Sequence, residues 1–332
     1  MNTIKIRIIA EIGSVHDGSL GNAEKLIELA ADCGADVVKF QTHLPEAETL
    51  PDAPSPAYFK GEPRLEYFRR TGFTREQWKQ LKTRADDCGI QFISSPFSLE
   101  AVDILEAVGV AFYKVPSGEV TNVPLLEHVA GTGRPTVLSS GMSNWDELDR
   151  AVEVLRPGGP LTLMQCSSVY PCPTERVGLN ILSEMRERYD LPVGLSDHTR
   201  GLAGAVAAVA QGAVMIEKHL TFHRGMYGSD ARHSAEPGEF KAMVEAIRDV
   251  ETMLANEVDK DDLSPYGEMK DIFEKSLVAS EDLPVGTELK REHLAFKKPG
   301  DGIKASDYSQ WLGRRLARAV SANTQLTPDD FE

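Results

Sequence analysis

No stretch of this chain approaches the roughly 20 consecutive apolar residues that a membrane-crossing helix needs, so no membrane role is expected. Cysteine is scarce: Cys33, Cys88, Cys166 and Cys172 are the whole complement, without zinc-site spacing. Cys33 and Cys88 each close a helical pattern just ahead of a glycine and read as small buried residues. This usage suits a reducing cytoplasm, the expected location. The N-terminal run Met1 to Arg7 enters a strand pattern at once and lacks the layout of a signal peptide. Basic residues are outnumbered, 36 against 51 acids, for a net charge of −15. Neither nucleic acid nor an anionic membrane is an expected partner. Any anion this protein binds must meet positive groups concentrated in one place. A GxGxxG loop after the first strand is also missing, which counts against a dinucleotide-binding open sheet.

What is present is a strand-then-helix unit that recurs about eight times. Ile4 to Gly13 is nearly continuously apolar, as a strand buried on both faces should be. Further strand-like runs are Asp36 to Thr42, Ile90 to Pro96, Ala111 to Pro116, Pro135 to Ser140, Leu161 to Ser168, Leu191 to Ser196 and Ala213 to His219. Leu20 to Gly34 is amphipathic, and Thr74-Arg75-Glu76-Gln77 has the form of a capping box. Other helices are expected to start near Ser98, Val123, Asn144, Gly178, Leu202 and Pro237. His43 to Phe73, with five prolines, reads as a loop carrying a short helix. Eight such units predict a (β/α)₈ TIM barrel over residues 1–256, with a doubly wound open sheet as the runner-up. Residues 257–275 are charge-rich at the start and read as a linker. Residues 276–332 are short apolar pieces between turns, a small β-rich domain near the lower limit of independent stability.

Barrel active sites lie at the carboxyl ends of the strands. There the chain places Glu11, Lys39, Gln41, Ser94, Ser95, Lys114, Ser117, Ser139, Ser140, Gln165, Ser168, Tyr170, Ser196, His198, Glu217 and His219. Core filling would call for Val, Ile and Leu. Lys39 and Lys114 with hydroxyls between them form an anion cradle. Alternatively each lysine pairs with an acid such as Glu11 or Glu119, or Lys114 forms a Schiff base. His198 and His219 end consecutive strands and make half of a divalent-metal site, or else are two strand-end residues bonded to carbonyls. Glu217 should share the pleat face of His219. Asp230, in a Gly-rich loop after the last strand, can reach over the mouth or simply shape a turn.

Together these pieces resemble the sialic acid synthase family, which makes nonulosonic acids. The matching runs are AEIG at 10–13 with HDG at 16–18, VVKFQT at 37–42, FISSPF at 92–97, YKVPSGE at 113–119, LSSGM at 138–142, GLSDHT at 194–199 and EKHLT at 217–221. KPGDGI at 298–303 and LGRRLARAV at 312–320 resemble the antifreeze-like (SAF) domain of such enzymes. The resemblance implies condensation of phosphoenolpyruvate with an open-chain aldose of the N-acetylmannosamine type, with water entering and phosphate leaving. It implies a divalent metal, manganese or magnesium, on His198 and His219. Phosphoenolpyruvate would be held by Lys39, Ser95, Lys114, Ser117 and Ser139. Glu11, Gln41 and Asp230 would serve as catalytic residues, and Tyr170, Ser168, Ser196 and Lys298 would face the acceptor sugar. It also implies a domain-swapped homodimer in which the small domain covers the partner's barrel mouth. Three residues depart from the family pattern: Gln165 replaces a common His, Ser168 a common Asn, and Lys298 the usual Arg. All three concern the acceptor side, so an acceptor other than N-acetylmannosamine is expected. Alternatives are a phosphorylated aldose, as in the octulosonate synthases, with Arg200, Arg224, Arg232 and His233 as extra basic groups, or a non-catalytic sugar- or ice-binding protein.

Overall fold

Eight of the expected segments form parallel strands: β1 (Arg7–Gly13), β2 (Val37–Thr42), β3 (Gln91–Pro96), β4 (Tyr113–Val115), β5 (Thr136–Ser139), β6 (Leu161–Cys166), β7 (Val193–Asp197) and β8 (Met215–His219). The computed structural model describes residues 5–54 and 62–332. The first residue of the expected Ile4–Gly13 strand and part of the 43–73 segment lie outside the described residues. The strands run side by side in the order β3-β2-β1-β8-β7-β6-β5-β4. β3 and β4 share no ladder, but the Ala111 N–H donates to the Phe92 carbonyl at 3.4 Å across the gap. The sheet is therefore a nearly closed barrel, as the alternation of strand and helix predicts.

The helices are α1 (Leu20–Asp32), α2 (Pro45–Glu48), α3 (Arg64–Thr71), α4 (Arg75–Asp87), α5 (Leu99–Val108), α6 (Val123–Gly131), α7 (Trp145–Leu155), α8 (Leu179–Tyr189), α9 (Ala203–Ala210) and α10 (Pro237–Ala255). Side chains of Ser19, Thr74, Ser98, Asn122 and Asn144 cap their own helices by accepting a backbone N–H. Such caps satisfy donors that a helix start otherwise leaves unpaired. Among the described residues, no helix is long and apolar enough to cross a membrane.

Strand parity decides what fills the barrel. Successive side chains point to opposite faces. One parity packs on the helices, among them Ile8, Ala10, Val38, Phe92, Leu138 and Leu195. The other points inward, and its lowest layer is Ile9, Val37, Ile93, Phe112, Val137, Met164 and Met215. Burial of each is worth about 1.5–3 kcal/mol. That apolar floor is what lets the next layer up carry charge.

Residues 257–332 form a second unit. In it β9 (Ser276–Ala279) pairs antiparallel with β10 (Leu294–Lys297) around Leu277, Leu283, Leu289, Leu316 and Leu326. The charge-rich stretch expected to be a bare linker contains α11 (Gly267–Phe273), and α12 (Tyr308–Trp311) follows later. α11 is tied to the rest of this unit by a hydrogen bond from the Gly300 N–H to the Asp271 carbonyl at 2.6 Å. Charge content marked the segment as exposed, but the backbone bonding that makes it a helix left no trace in composition.

Candidate active site

Two residues above the apolar floor, the same parity presents Glu11, Lys39, Ser95, Lys114, Ser139, Cys166, Ser196 and Glu217 to the interior. Lys39 and Lys114 are almost fully buried. Lys39 Nζ lies 2.9 Å from Glu217 Oε1, 3.3 Å from Glu11 Oε2 and 3.4 Å from Ser95 Oγ. Lys114 Nζ lies 3.4 Å from Glu217 Oε2 and donates to Ser139 Oγ at 2.6 Å. Ser196 Oγ is 3.4 Å from Glu217 Oε1. Glu217 is thus the shared counter-ion of both lysines. Of the two acids expected as partners, Glu11 takes part, while Glu119 accepts from Asn122 at 2.7 Å instead.

Burial dominates the proton affinities here. It pushes the Glu11 carboxyl above its ordinary range, against the pull of Lys39, with the Glu217 charge adding to the rise. Burial also opposes ionisation of Glu217, but Lys114 and Lys39 outweigh it and hold that carboxyl below its usual value. Lys114 is pushed down by burial. Lys39, against the same burial, is pushed up by Glu11 and Glu217. Two carboxylates in one site with opposite shifts are the usual signature of a divided acid and base role. Glu11 Oε2 and Glu217 Oε2 each face an ammonium but receive no hydrogen bond. They are polar atoms with capacity to spare.

One layer further up stand Gln41, Ser168, His198 and His219. Gln41 Nε2 donates to Glu11 Oε1 at 2.7 Å. The rings of His198 and His219 have centroids 5.5 Å apart, and the Tyr170 ring packs at a tilt with its centroid 4.2 Å from that of His198. His198 Nδ1 bonds the Ser167 carbonyl at 2.8 Å, the strand-end contact that was one of the readings for it. That bond puts the proton on Nδ1 and leaves the Nε2 lone pair available, the orientation metal-bound imidazoles use. His219 is kept neutral by burial, and its Nδ1 is buried without a partner. The Cys166 contact, against burial, raises the proton affinity of His198, so the two rings can supply half of a metal centre once His198 gives up its Nε2 proton. Among the described residues, no group of three His, Cys, Asp or Glu side chains that could hold a metal ion is formed.

Asp230 does reach the mouth. Its Oδ2 accepts from the Ser14 N–H and the Ser14 hydroxyl, both at 2.8 Å. The close approach requires Gly13: a Cβ there would fall 2.4 Å from Asp230 Oδ2, and φ is +54°. Gly141 plays a matching part on the opposite side. A Cβ at that position would lie 2.2 Å from Ser168 Oγ and 2.6 Å from Ser117 Oγ, so the glycine lets the two hydroxyls converge against the backbone. A cavity of about 210 Å³ joins Gln41, Tyr170, His219, Asp230, Arg64 and His233.

Three strand-end residues do not belong to this ring. Ser94 Oγ bonds Thr42 Oγ1 at 2.7 Å, while Ser140 Oγ and Gln165 Oε1 bond each other at 3.1 Å. Gln165 Nε2 donates to the Val177 carbonyl. All three have the outward parity, so Gln165 departs from the family pattern away from the pocket. Arg224 is also elsewhere, bonded to the Ser234 carbonyl and Glu239. Lys298 belongs to the second unit, where its ammonium sits 4.7 Å from the Phe273 ring centroid. Residues that strand-end reading missed are Cys166, whose Sγ is 3.9 Å from His198 Nδ1, and Arg64 with His43 on the pocket wall. Parity counted from Met164 would have flagged Cys166. Arg64 lies in a helix far from any strand end, and no pattern pointed to it.

Comparison with known proteins decides the family. The NeuB family model matches residues 26–259, and the SAF domain model matches residues 274–332. The chain belongs to the NeuB family. It is 38% identical to the N,N'-diacetyllegionaminic acid synthase of Campylobacter jejuni, over 93% of this chain and 95% of that protein. It is 37% identical to the human N-acetylneuraminate-9-phosphate synthase, over 96% of this chain and 90% of that one. Among solved structures, the sialic acid synthetase of Leptospira borgpetersenii superposes with a TM-score of 0.71 at 30% identity, covering 80% of this chain and 90% of that one. This NeuB-family protein is an enzyme of the synthase type, with an SAF domain after its barrel.

Proposed function

We propose that this enzyme condenses phosphoenolpyruvate with an open-chain amino sugar and water, giving a 3-deoxy-2-ulosonic acid and inorganic phosphate. The names of the two relatives given above, both sugar-acid synthases, support the product class. The observation that carries the reading is the pair of buried lysines sharing Glu217 in a protein of net charge −15. A trianionic enol ester is the kind of ligand that repays such an arrangement. Lys39, Lys114, Ser95, Ser117 and Ser139 would hold its phosphate and carboxylate and stabilise phosphate as it leaves.

The new bond joins C3 of phosphoenolpyruvate to the aldehyde carbon, and water adds at C2. The C2–O bond to phosphate then breaks, so the phosphoryl oxygen departs with its electron pair. Positioning is the main task, and the rigid strand ends perform it. Glu11, with its raised proton affinity and its bond to Gln41, is the group suited to give or take a proton near neutrality. Asp230 and Tyr170 face the acceptor, together with Ser168 and Ser196. A manganese or magnesium ion on His198 and His219, completed by water and substrate, would polarise the aldehyde. We place the protein in the cytoplasm, which the four free cysteines support. We also expect a homodimer in which the small domain, with Lys298, serves the partner's barrel.

The test is phosphate release from phosphoenolpyruvate with a panel of amino-sugar aldoses, with the product weighed by mass spectrometry. Release that a chelator abolishes and added manganese restores is expected. Release untouched by chelator would remove the metal from the mechanism. No release with any aldose would overturn the reaction.

A further inference from the structure

Asp197 and Lys218 have the outward parity of β7 and β8, so they point away from the lysine ring. The condensation chemistry above makes no use of them. They face each other in the ladder and are the last paired residues between these two strands. Their side chains are 0% and 6% exposed. Lys218 Nζ donates to Asp197 Oδ2 at 2.8 Å and to the Thr199 carbonyl at 2.8 Å. Asp197 Oδ1 accepts the Thr199 N–H at 2.9 Å. Gly204, in the first turn of α9, makes room for the carboxylate, since a Cβ there would stand 3.3 Å from Asp197 Oδ1.

A buried ion pair is weak evidence for stability. Its attraction mostly offsets the desolvation of two charges, and well-packed apolar residues of similar volume often do as well. What this pair provides is placement. The two contacts of Lys218 fall on the residues just before and just after His198. His198 itself lies one residue beyond the end of β7, where the ladder no longer holds the chain. His219, by contrast, is the last residue of β8 and is still paired with Glu11 of β1. The chain around His198 therefore needs another support, and the residue next to His219 supplies it. Asp197 closes residues 197–199 into a tight turn by bonding two residues ahead. From the other side, the Cys172 N–H holds the His198 carbonyl at 2.9 Å and the Ser167 carbonyl holds its Nδ1. Those two bonds aim the ring from the loop after β6, while Lys218 ties it to the strand that carries the second imidazole.

Resting on the metal reading above, we propose that Lys218 and Asp197 are positioning residues that set the separation of the His198 and His219 rings, and with it the affinity of that pair for a divalent cation. Neither side chain faces the pocket, so neither is a ligand. A neutral pair of similar volume would fill the same space but would leave residues 197–199 free to shift against β8. Support of this kind around metal ligands is typically worth about 10–100-fold in affinity.

Manganese binding by the full-length enzyme is measured by electron paramagnetic resonance of the free aqueous ion, with the metal alone and no substrate. A variant carrying both His198→Ala and His219→Ala defines the part of the signal that belongs to the histidines. The test variant carries both Asp197→Asn and Lys218→Met. It keeps an acceptor for the Thr199 N–H and leaves no unpaired ion in the interior, so it separates placement from stability. The expected result is a Tm within about 4 °C of wild type together with a manganese Kd at least about tenfold higher. A smaller loss of affinity, or one accompanied by a larger fall in Tm, overturns the positioning role and leaves the metal reading intact. Should that variant not fold, Asp197→Asn with Lys218→Gln is read in the same way. Failure of both to fold makes the pair a requirement of the fold and overturns the proposal. Wild-type enzyme that binds no manganese, or binds it equally well without the two histidines, overturns the metal reading and the proposal with it.

Discussion

Glu217→Gln is the sharpest single perturbation of the site, because it keeps the side-chain shape and removes the charge that two buried ammonium groups share. At an effective dielectric of about 20, contacts of 2.9 and 3.4 Å correspond to attractions of about 6 and 5 kcal/mol. Much of that is offset by the desolvation of Glu217, which the glutamine no longer requires. Breaking a buried pair from one side costs about 3–5 kcal/mol net. For a barrel of this size each kcal/mol moves Tm by about 2–4 °C, so a fall of roughly 6–20 °C is expected. The lower end applies if Lys114, whose proton affinity burial already depresses, responds by becoming neutral. Inorganic phosphate, bound at the lysines as proposed, would supply the missing negative charge. At 100 times its Kd it should return about 2.7 kcal/mol, a large part of the loss. Calorimetric or circular-dichroism melts with and without phosphate check both halves. A variant that melts within about 2 °C of wild type, or one that phosphate leaves unmoved, would refute the shared counter-ion argument.

Two further outcomes rest on separate observations. Asp36 Oδ2 accepts the Ile8 N–H at 2.9 Å and Arg248 at 2.6 Å, while its Oδ1 meets Lys5 at 2.5 Å. Burial opposes its ionisation, but these bonds win and hold its carboxyl below the ordinary range. A depressed carboxyl stabilises the fold above its unfolded value near 3.9, and that contribution is lost as pH falls through the folded value. Asp36→Asn should therefore cost about 1–3 kcal/mol in urea titrations at pH 7. The gap from wild type should shrink in acid, and a constant gap down to pH 3 would count against the assignment. In Gly13→Ala the new methyl collides with Asp230 Oδ2 at 2.4 Å. A fall of at least about tenfold in kcat/KM is expected, with a stability loss of only about 1–2 kcal/mol for the positive φ. Full activity in that variant would show that the position of Asp230 does not matter.

The barrel was legible because its signal is local and repeated: apolar runs of strand length, each followed by a helical pattern with a capping residue. The site was legible only as far as strand parity was followed. Lys39, Lys114, Glu217 and Glu11 stand two residues above Val37, Phe112, Met215 and Ile9, and their inward direction follows from that count. Strand-end position alone admitted Ser94, Ser140 and Gln165, which have the wrong parity and bond outward. The pairing within the ring was not legible, because it depends on which strands are neighbours. β8 lies beside β1, so Glu217, from the last strand, reaches Lys39 on the second and Lys114 on the fourth across the interior. A sequence read in order puts Glu119 much closer to Lys114 than Glu217 is, and only barrel closure reverses that.

The same closure explains why carboxylates belong in a site proposed to hold an anion. Two bare ammonium groups in a dry interior would be unaffordable before substrate arrives, since an unpaired buried charge loses several kcal/mol of hydration. Glu217 opposes the loss of charge that burial urges on Lys114 and helps raise Lys39, while Glu11, raised by burial and by Glu217, is poised to hold a proton. When a phosphorylated ligand brings its own negative charge, the lysines exchange partners and do not need to be newly desolvated. The added charge then raises the proton affinity of Glu11 further, because like charges in one low-dielectric site oppose each other's ionisation. Under the proposed reaction, binding of phosphoenolpyruvate and protonation of Glu11 would therefore be one electrostatic event.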